Sequence, residues 1–279
     1  AAAVVLVVGA GLFARTLVNL GRVELGFRPD HLLMFQVAPG LNGYEGPRLA
    51  DIYRRIQERV AAIPGVQAVT AVQHPLLSGW MSNRTLNIPG QQPKTGERYS
   101  AYTHLVGERF LTVMGTPILL GRDLQASDDA SAPAVAVVNS TMAREIFEGN
   151  PVGREFYFTA GSPIRIVGVA ADSKYDRIRN DVPPTVYVPW MQNIPQGLHF
   201  QLRTSVDPLS LAPAVLRALA AIDPTLPVSD VRTQQQLIER ATAPERTFAM
   251  LGGFFSGVAV LLACIGIYGV LAYAVARRT

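Results

Sequence analysis

Apolar positions fall into two repeated short patterns and one long uninterrupted run. Leu32–Val37 reads as a strand. A helix is predicted from Pro47, a residue suited to a first turn. Its apolar positions Leu49, Ile52, Tyr53, Ile56, Val60 and Ile63 keep the i, i+3, i+4, i+7 rhythm, and Arg48, Asp51, Arg54, Arg55, Glu58 and Arg59 supply a solvated face. Pro64-Gly65 stop that helix, and Val66–Val72 gives the next strand. The same order returns later. Residues 199–203 alternate like a strand, and 209–222 carry a helical face at Leu211, Val215, Leu216, Leu219 and Ile222, with Pro213 blurring the helix start. Asp223-Pro224 ends it, and 228–231 give a short strand. Two β-α-β units of similar length predict an α+β fold built on a ferredoxin-like split βαβ sheet.

Between the two units, residues 76–197 read as an inserted mixed α/β subdomain. Residues 134–138 form a strand, Asn139 is an N-cap candidate, and a short helix follows to Phe147. Glu155–Phe158 and Ile164–Ala170 are further strands, divided by a turn at Ala160-Gly161-Ser162-Pro163. Residues 78–92 and 125–133 are polar and turn-rich, so loops are expected there. Thr233-x-x-Gln236 resembles a capping box that opens an amphipathic helix leading straight into an apolar run.

That run, 247–276, contains no charged residue and exceeds the roughly 20 residues a membrane helix needs. Tyr268 and Tyr273 lie in its C-terminal half and Arg277-Arg278 follow, which places that end in the cytoplasm. Gly253 and Gly257, with Ser256 beside them, make a small-xxx-small pair of the kind that lets helices approach closely. Residues 1–14 are also apolar throughout, but too short to span, and no basic segment precedes them as in a signal peptide. Residues 1–22 therefore read as the end of a truncated transmembrane helix, and the chain as a fragment. The domain plan is then 28–246 as an extracytoplasmic core, with 28–75 and 198–232 as its βαβ halves, and 247–276 as a transmembrane helix.

Composition sharpens this picture. The 279 residues are 49% hydrophobic and only 16% charged, the reverse of a disordered chain. The single cysteine, Cys264, excludes an internal disulfide framework and a multi-thiolate metal site. The net charge of +4 raises nucleic acid as a partner, but residues 28–246 hold 21 Lys/Arg against 20 Asp/Glu, so no nucleic-acid partner is expected. The excess positive charge sits on the membrane flanks.

Candidate chemistry is sparse. No G-x-x-x-x-G-K-[ST] phosphate loop, H-E-x-x-H or G-x-S-x-G sequence occurs. His31, His74, His104 and His199 are widely separated and read as surface or strand histidines. Asp128-Asp129 and the trio Asp172, Asp176, Asp181 lack the dense spacing of a calcium loop and read as loop residues. Gly9-Ala10-Gly11-Leu12-Phe13-Ala14 matches G-x-G-x-x-A after a Val-rich run, but the following strand ends without the acidic residue a dinucleotide turn requires. No catalytic, cofactor-binding or metal-binding residue is assigned, no cofactor is expected, and the chain is not read as an enzyme.

Several stretches carry a family resemblance. Gly65-Val66-Gln67-Ala68-Val69, Pro75-Leu76 with Ser78-Gly79, Phe110-Leu111-Thr112-Val113-Met114-Gly115-Thr116-Pro117 with Gly121-Arg122, and Val137-Val138-Asn139 with Met142-Ala143 occur in order. Ile166-Val167-Gly168-Val169, Asp223-Pro224 with Pro227-Val228, and Gly266-Ile267-Tyr268-Gly269-Val270-Leu271-Ala272-Tyr273 complete the series. Together they resemble the MacB-like and FtsX-like permeases of bacterial ABC transporters, especially the large duplicated permeases of acidobacteria. The resemblance implies a periplasmic core domain between two inner-membrane helices, a cytoplasmic ABC ATPase partner, contact with membrane lipid, and pairing as a homodimer or pseudo-dimer of permease units. It implies export (efflux) or, alternatively, mechanotransmission that activates an extracytoplasmic partner without transport. Two further readings stand beside it: a Rossmann-type enzyme using Gly9 and Gly11, and a membrane-anchored binding module.

Overall fold

A computed structural model describes residues 24–80, 82–91, 98–158, 161–174 and 180–276. Strand β1 (Leu32–Val37), helix α1 (Gly46–Ala61) and strand β2 (Val66–Val72) form the first β-α-β unit. Of the expected apolar stripe, Leu49, Ile52, Tyr53, Ile56 and Val60 of α1 are all buried, and Ile63 lies past the helix end. The second unit comprises β10 (Leu198–Thr204), a 3-10 turn at Pro208–Leu211, α4 (Ala212–Ala220) and β11 (Val228–Thr233). Every pairing is antiparallel in the order β11-β1-β10-β2, so each unit has a strand of the other between its own two.

Helices α1 and α4 cover one face of this sheet. Leu33, Phe35, Val37, Ala71, Phe200 and Leu202 pack there with Val215 and Leu219 of α4. Phe35 and Phe200 stand directly opposite in the register and stack with ring centroids 5.4 Å apart. Fully burying side chains of this size contributes roughly 1.5–3 kcal/mol each, which fixes the strand faces. The second helix departs from its expected span. Pro213 sits in the first turn of a nine-residue α4, Ile222 lies beyond its end, and Leu216 is exposed. A helix this short buries a narrow stripe, so Leu216 falls outside it.

The insertion holds β3 (Asn83–Asn87), β4 (Ser100–Val106), α2 (Phe110–Met114), β5 (Ile118–Gly121), β6 (Val135–Asn139), α3 (Ser140–Glu145), β7 (Glu155–Phe158), β8 (Ile164–Ala170) and β9 (Thr185–Pro189). Six of its strands pair in a closed circuit, β4-β3-β7-β8-β6-β9 and back to β4. Closure satisfies edge groups that an open sheet would leave unpaired. Residues 83–87, expected within a loop, are strand β3: only Leu86 is buried, and the polar backbone is recruited by β4 and β7. Helix α2 ends on Gly115 at φ 75°, where a Cβ would run into the Arg28 side chain. The circuit adjoins the first sheet through Val72 of β2 opposite Val106 of β4.

Residues Leu25–Ile238 form one compact unit. Helix α5 (Gln234–Ala276) continues past it as one helix of 43 residues, about 65 Å at 1.5 Å per residue. Within it, Met250–Tyr268 is long and apolar enough to cross a membrane and is 6% buried. The expected truncated helix of residues 1–22, the glycines at positions 9 and 11, Ala160 of the expected turn, Asp176 and the Arg277-Arg278 flank lie outside the described residues.

Candidate functional site: the strand–helix junction

The last strand of the unit passes into the apolar helix without a loop. Thr233 closes β11, and the capping box forms: the Gln236 amide accepts from the Thr233 N–H and the Thr233 hydroxyl accepts from the Gln236 N–H, each at 3.1 Å. Two of the orphan donors at the helix start are thereby satisfied.

A second set of contacts fixes the first turn of α5 to the sheet. Gln234 is fully buried and donates to the carbonyl of Leu76 at 3.0 Å. Gln201 of β10, also fully buried, donates to the Gln234 side-chain oxygen at 3.4 Å. Gln201 Oε1 has no hydrogen-bond partner among the described residues. The sheet face opposite α1 and α4 thus carries a buried polar bridge from β10 through the first turn of α5 to the carbonyl of Leu76.

Two residues along β10, on the same face, Arg203 gathers the leading segment of the unit. Its guanidinium donates to the carbonyls of Val113 at 2.6 Å, Asp30 at 2.6 Å and Arg28 at 3.0 Å. That segment is tied elsewhere too: the Arg28 N–H donates to Met114, and the Thr116 hydroxyl to the carbonyl of Gly26 at 3.0 Å. Gln201, Arg203 and Gln234 were not singled out by sequence. Their alternation with Phe200 and Leu202 reads as an ordinary solvent-facing side of a strand, and only tertiary packing buries it.

Burial favours the neutral form of His199, His104 and His74. A bulge in β11 sets two residues, Asp230 and Val231, against Phe35, and Asp230 takes φ 63°. Its carboxylate contacts Arg232 and lies 4.0 Å from His199 Nε2. Burial pushes the His199 ring down to about 4, against the opposing hydrogen bond it donates to the Gln73 carbonyl at 3.0 Å. His104, buried flat against Tyr187 with centroids 5.7 Å apart, is pushed down to about 3 by burial and then by His74. His74 is lowered by burial and stacks on the exposed ring of Trp80 at 4.4 Å. His31 is exposed, 3.4 Å from the Val206 carbonyl.

The flagged carboxylates serve their own loops. Arg122 grips Asp128 through two hydrogen bonds, at 2.7 and 2.8 Å. Asp129 accepts from Ser131, and Asp172 accepts from the Thr141 N–H and hydroxyl, both at 2.9 Å. Asp181 is exposed. No group of three His, Cys, Asp or Glu able to hold a metal occurs among the described residues. A cleft of about 430 Å³ opens between α1 and the insertion, lined by Arg54, Gln57, Glu58, Glu108 and Trp190 among others. Gln57 donates across it to Glu108 at 2.9 Å.

A mixed α+β unit whose last strand runs directly into an apolar helix of membrane-crossing length is the class that fold and junction define. Residues 1–238 match the family model of the MacB-like periplasmic core domain, and the chain belongs to that family. It is similar to the macrolide export ATP-binding/permease proteins MacB of Marinobacter nauticus, 24% identical over 65% of this chain and 29% of that one, and of Vibrio parahaemolyticus, 24% identical over 78% and 32%. The chain therefore spans about a third of the length of the curated relatives it matches. Among solved structures, the periplasmic region of MacB from Actinobacillus actinomycetemcomitans shares the fold, with a TM-score of 0.51 at 14% identity over 77% of this chain and 94% of that one.

Proposed function

We propose that the chain is part of an ABC transporter permease in which residues 28–246 lie on the periplasmic side of the inner membrane and couple ATPase-driven helix motion to export. The supporting observation is the unbroken passage from β11 into α5, with Thr233 and Gln236 capping each other. A helix locked to an edge strand by a reciprocal cap moves that strand with it. In this reading the four-stranded part is the ferredoxin-like split βαβ sheet, residues 1–22 end a first transmembrane helix, Met250–Tyr268 sits in the second, and Arg277-Arg278 face the cytoplasm. The chain has no catalytic role. ATP is hydrolysed by a cytoplasmic ABC ATPase, and two permease units pair in the lipid bilayer.

The test is efflux from cells expressing the full-length protein with its ATPase, compared with cells carrying an ATPase unable to hydrolyse ATP. ATP-dependent efflux is the expected outcome. A protein that drives no efflux, yet activates a co-purified periplasmic enzyme when ATP is hydrolysed, replaces export with mechanotransmission.

A further inference from the structure

We infer that strand β10 is the common anchor of both chain ends of the core, with Gln201 and Arg203 as its positioning residues. Gln201 and Arg203 are two apart on one strand, so their side chains share a face. On that face Gln201 bonds Gln234 in the first turn of α5, and Arg203 holds the carbonyls of Arg28 and Asp30 in the segment that follows residues 1–24. Both ends of the unit are fastened by side chains to one face of this central strand.

The other face of β10 packs against α1, which links it to the insertion. Phe200 packs against Tyr53 with ring centroids 6.2 Å apart, and Tyr53 meets the Trp190 ring edge-on at 5.4 Å. The Tyr53 hydroxyl donates to the carbonyl of Pro195 at 2.9 Å. Both Trp190 and Pro195 belong to the segment that returns from the six-stranded circuit into β10. A displacement of either chain end therefore reaches the insertion through one rigid, doubly packed strand. The buried polar atoms suit this role. Gln201 Oε1 lacks a partner among the described residues, so the bridge is held less tightly than an apolar core would be and has an unused acceptor for a second arrangement.

This inference rests on the permease reading, and the experiment separates the two. The full-length protein, with Cys264→Ser, is reconstituted in lipid nanodiscs with its ATPase. Spin labels are placed at Arg55→Cys on α1 and Ser162→Cys in the β7–β8 turn, both exposed positions. Label separation is read by pulsed EPR without nucleotide and in a trapped nucleotide state. The wild-type background is expected to change its separation on trapping. Gln201→Met and Arg203→Met are expected to keep the nucleotide-free separation and lose most of the change, with Arg203→Lys recovering part of it. If those variants disturb the nucleotide-free separation, Gln234→Met cuts the same bridge from the helix side and is read in the same way. A full-sized change in the Met variants overturns the anchor role alone. Absence of any change in the wild-type background overturns the permease reading and the anchor role together.

Discussion

Asn139 and Thr185 meet at the heart of the insertion: the buried Asn139 side-chain oxygen accepts the Thr185 N–H at 2.9 Å while also accepting the Met142 N–H at 2.9 Å. Its amide nitrogen donates to the carbonyl of Pro183 at 2.9 Å. One side chain caps α3 and ties it to β9. Asn139→Ala removes the cap and strands a buried N–H, so it is expected to destabilise the protein by about 2–4 kcal/mol. Asn139→Asp keeps both accepted bonds but sets an anion against the Pro183 carbonyl, and should fall between. Urea unfolding of the purified chain checks the order; equal stability of all three proteins contradicts it.

The capping box at the junction should behave as a coupled pair. Thr233→Val and Gln236→Ala are each expected to lower stability by about 1 kcal/mol. The double variant should lose less than the sum, because each single change already breaks the reciprocal arrangement. A double-mutant cycle on thermal unfolding measures the coupling. Strict additivity would show that the two residues act separately.

Acid should unfold the protein earlier than its carboxylates alone require. Unfolded histidine titrates near 6.5, whereas burial holds His104 down to about 3 and His199 to about 4 in the fold. Between those values the unfolded chain binds more protons than the native one. The stability these rings permit is present above about pH 6.5 and falls as pH drops toward 4, on the order of 3 kcal/mol per ring by pH 4. Asp128 adds a lower window. Burial raises its carboxyl, but the Arg122 fork and the Gln125 N–H outweigh that and leave it below the usual carboxylate range. Its contribution is lost only as pH falls through that depressed value. His104→Phe, which keeps a ring against Tyr187, should flatten the slope between pH 6.5 and 4.5 in urea titrations. An unchanged slope would sink the assignment.

The apolar stretch of α5 makes a separate prediction. Leu261 lies near the middle of Met250–Tyr268. Leu261→Arg is expected to oppose membrane insertion by about 2.5–3.5 kcal/mol. Glycosylation mapping in microsomes reads this directly: the unsubstituted segment should insert, and the arginine variant should do so markedly less. Equal insertion would remove the membrane assignment of this helix.

Local patterns in the sequence carried much of the framework. β1, β2, β7 and β8 occupy the expected residues, α1 buries the expected stripe except for Ile63, which lies past its end, and both Asn139 and the Thr233–Gln236 pair cap helices as their types require. Each of these rests on contacts within a few residues, or on a periodicity that tertiary packing had no reason to override. The continuous apolar run likewise declared itself by length and composition, and the ordered motifs pointed to the family that residues 1–238 match.

Tertiary structure decided the rest. β3 is polar and reads as a loop, because its strand character comes from partners, β4 and β7, distant in the chain. Closure of six strands into a circuit depends on β4 meeting β9 in parallel, a pairing more than eighty residues apart that leaves no local signature. Gln201 and Arg203 look like solvent-facing residues of a half-buried strand; they are a bridge and a clamp because the start of α5, α2 and the segment of Arg28 and Asp30 come against them. Sequence periodicity reports which side of an element is apolar. What lies against the other side is set only when distant segments pack together.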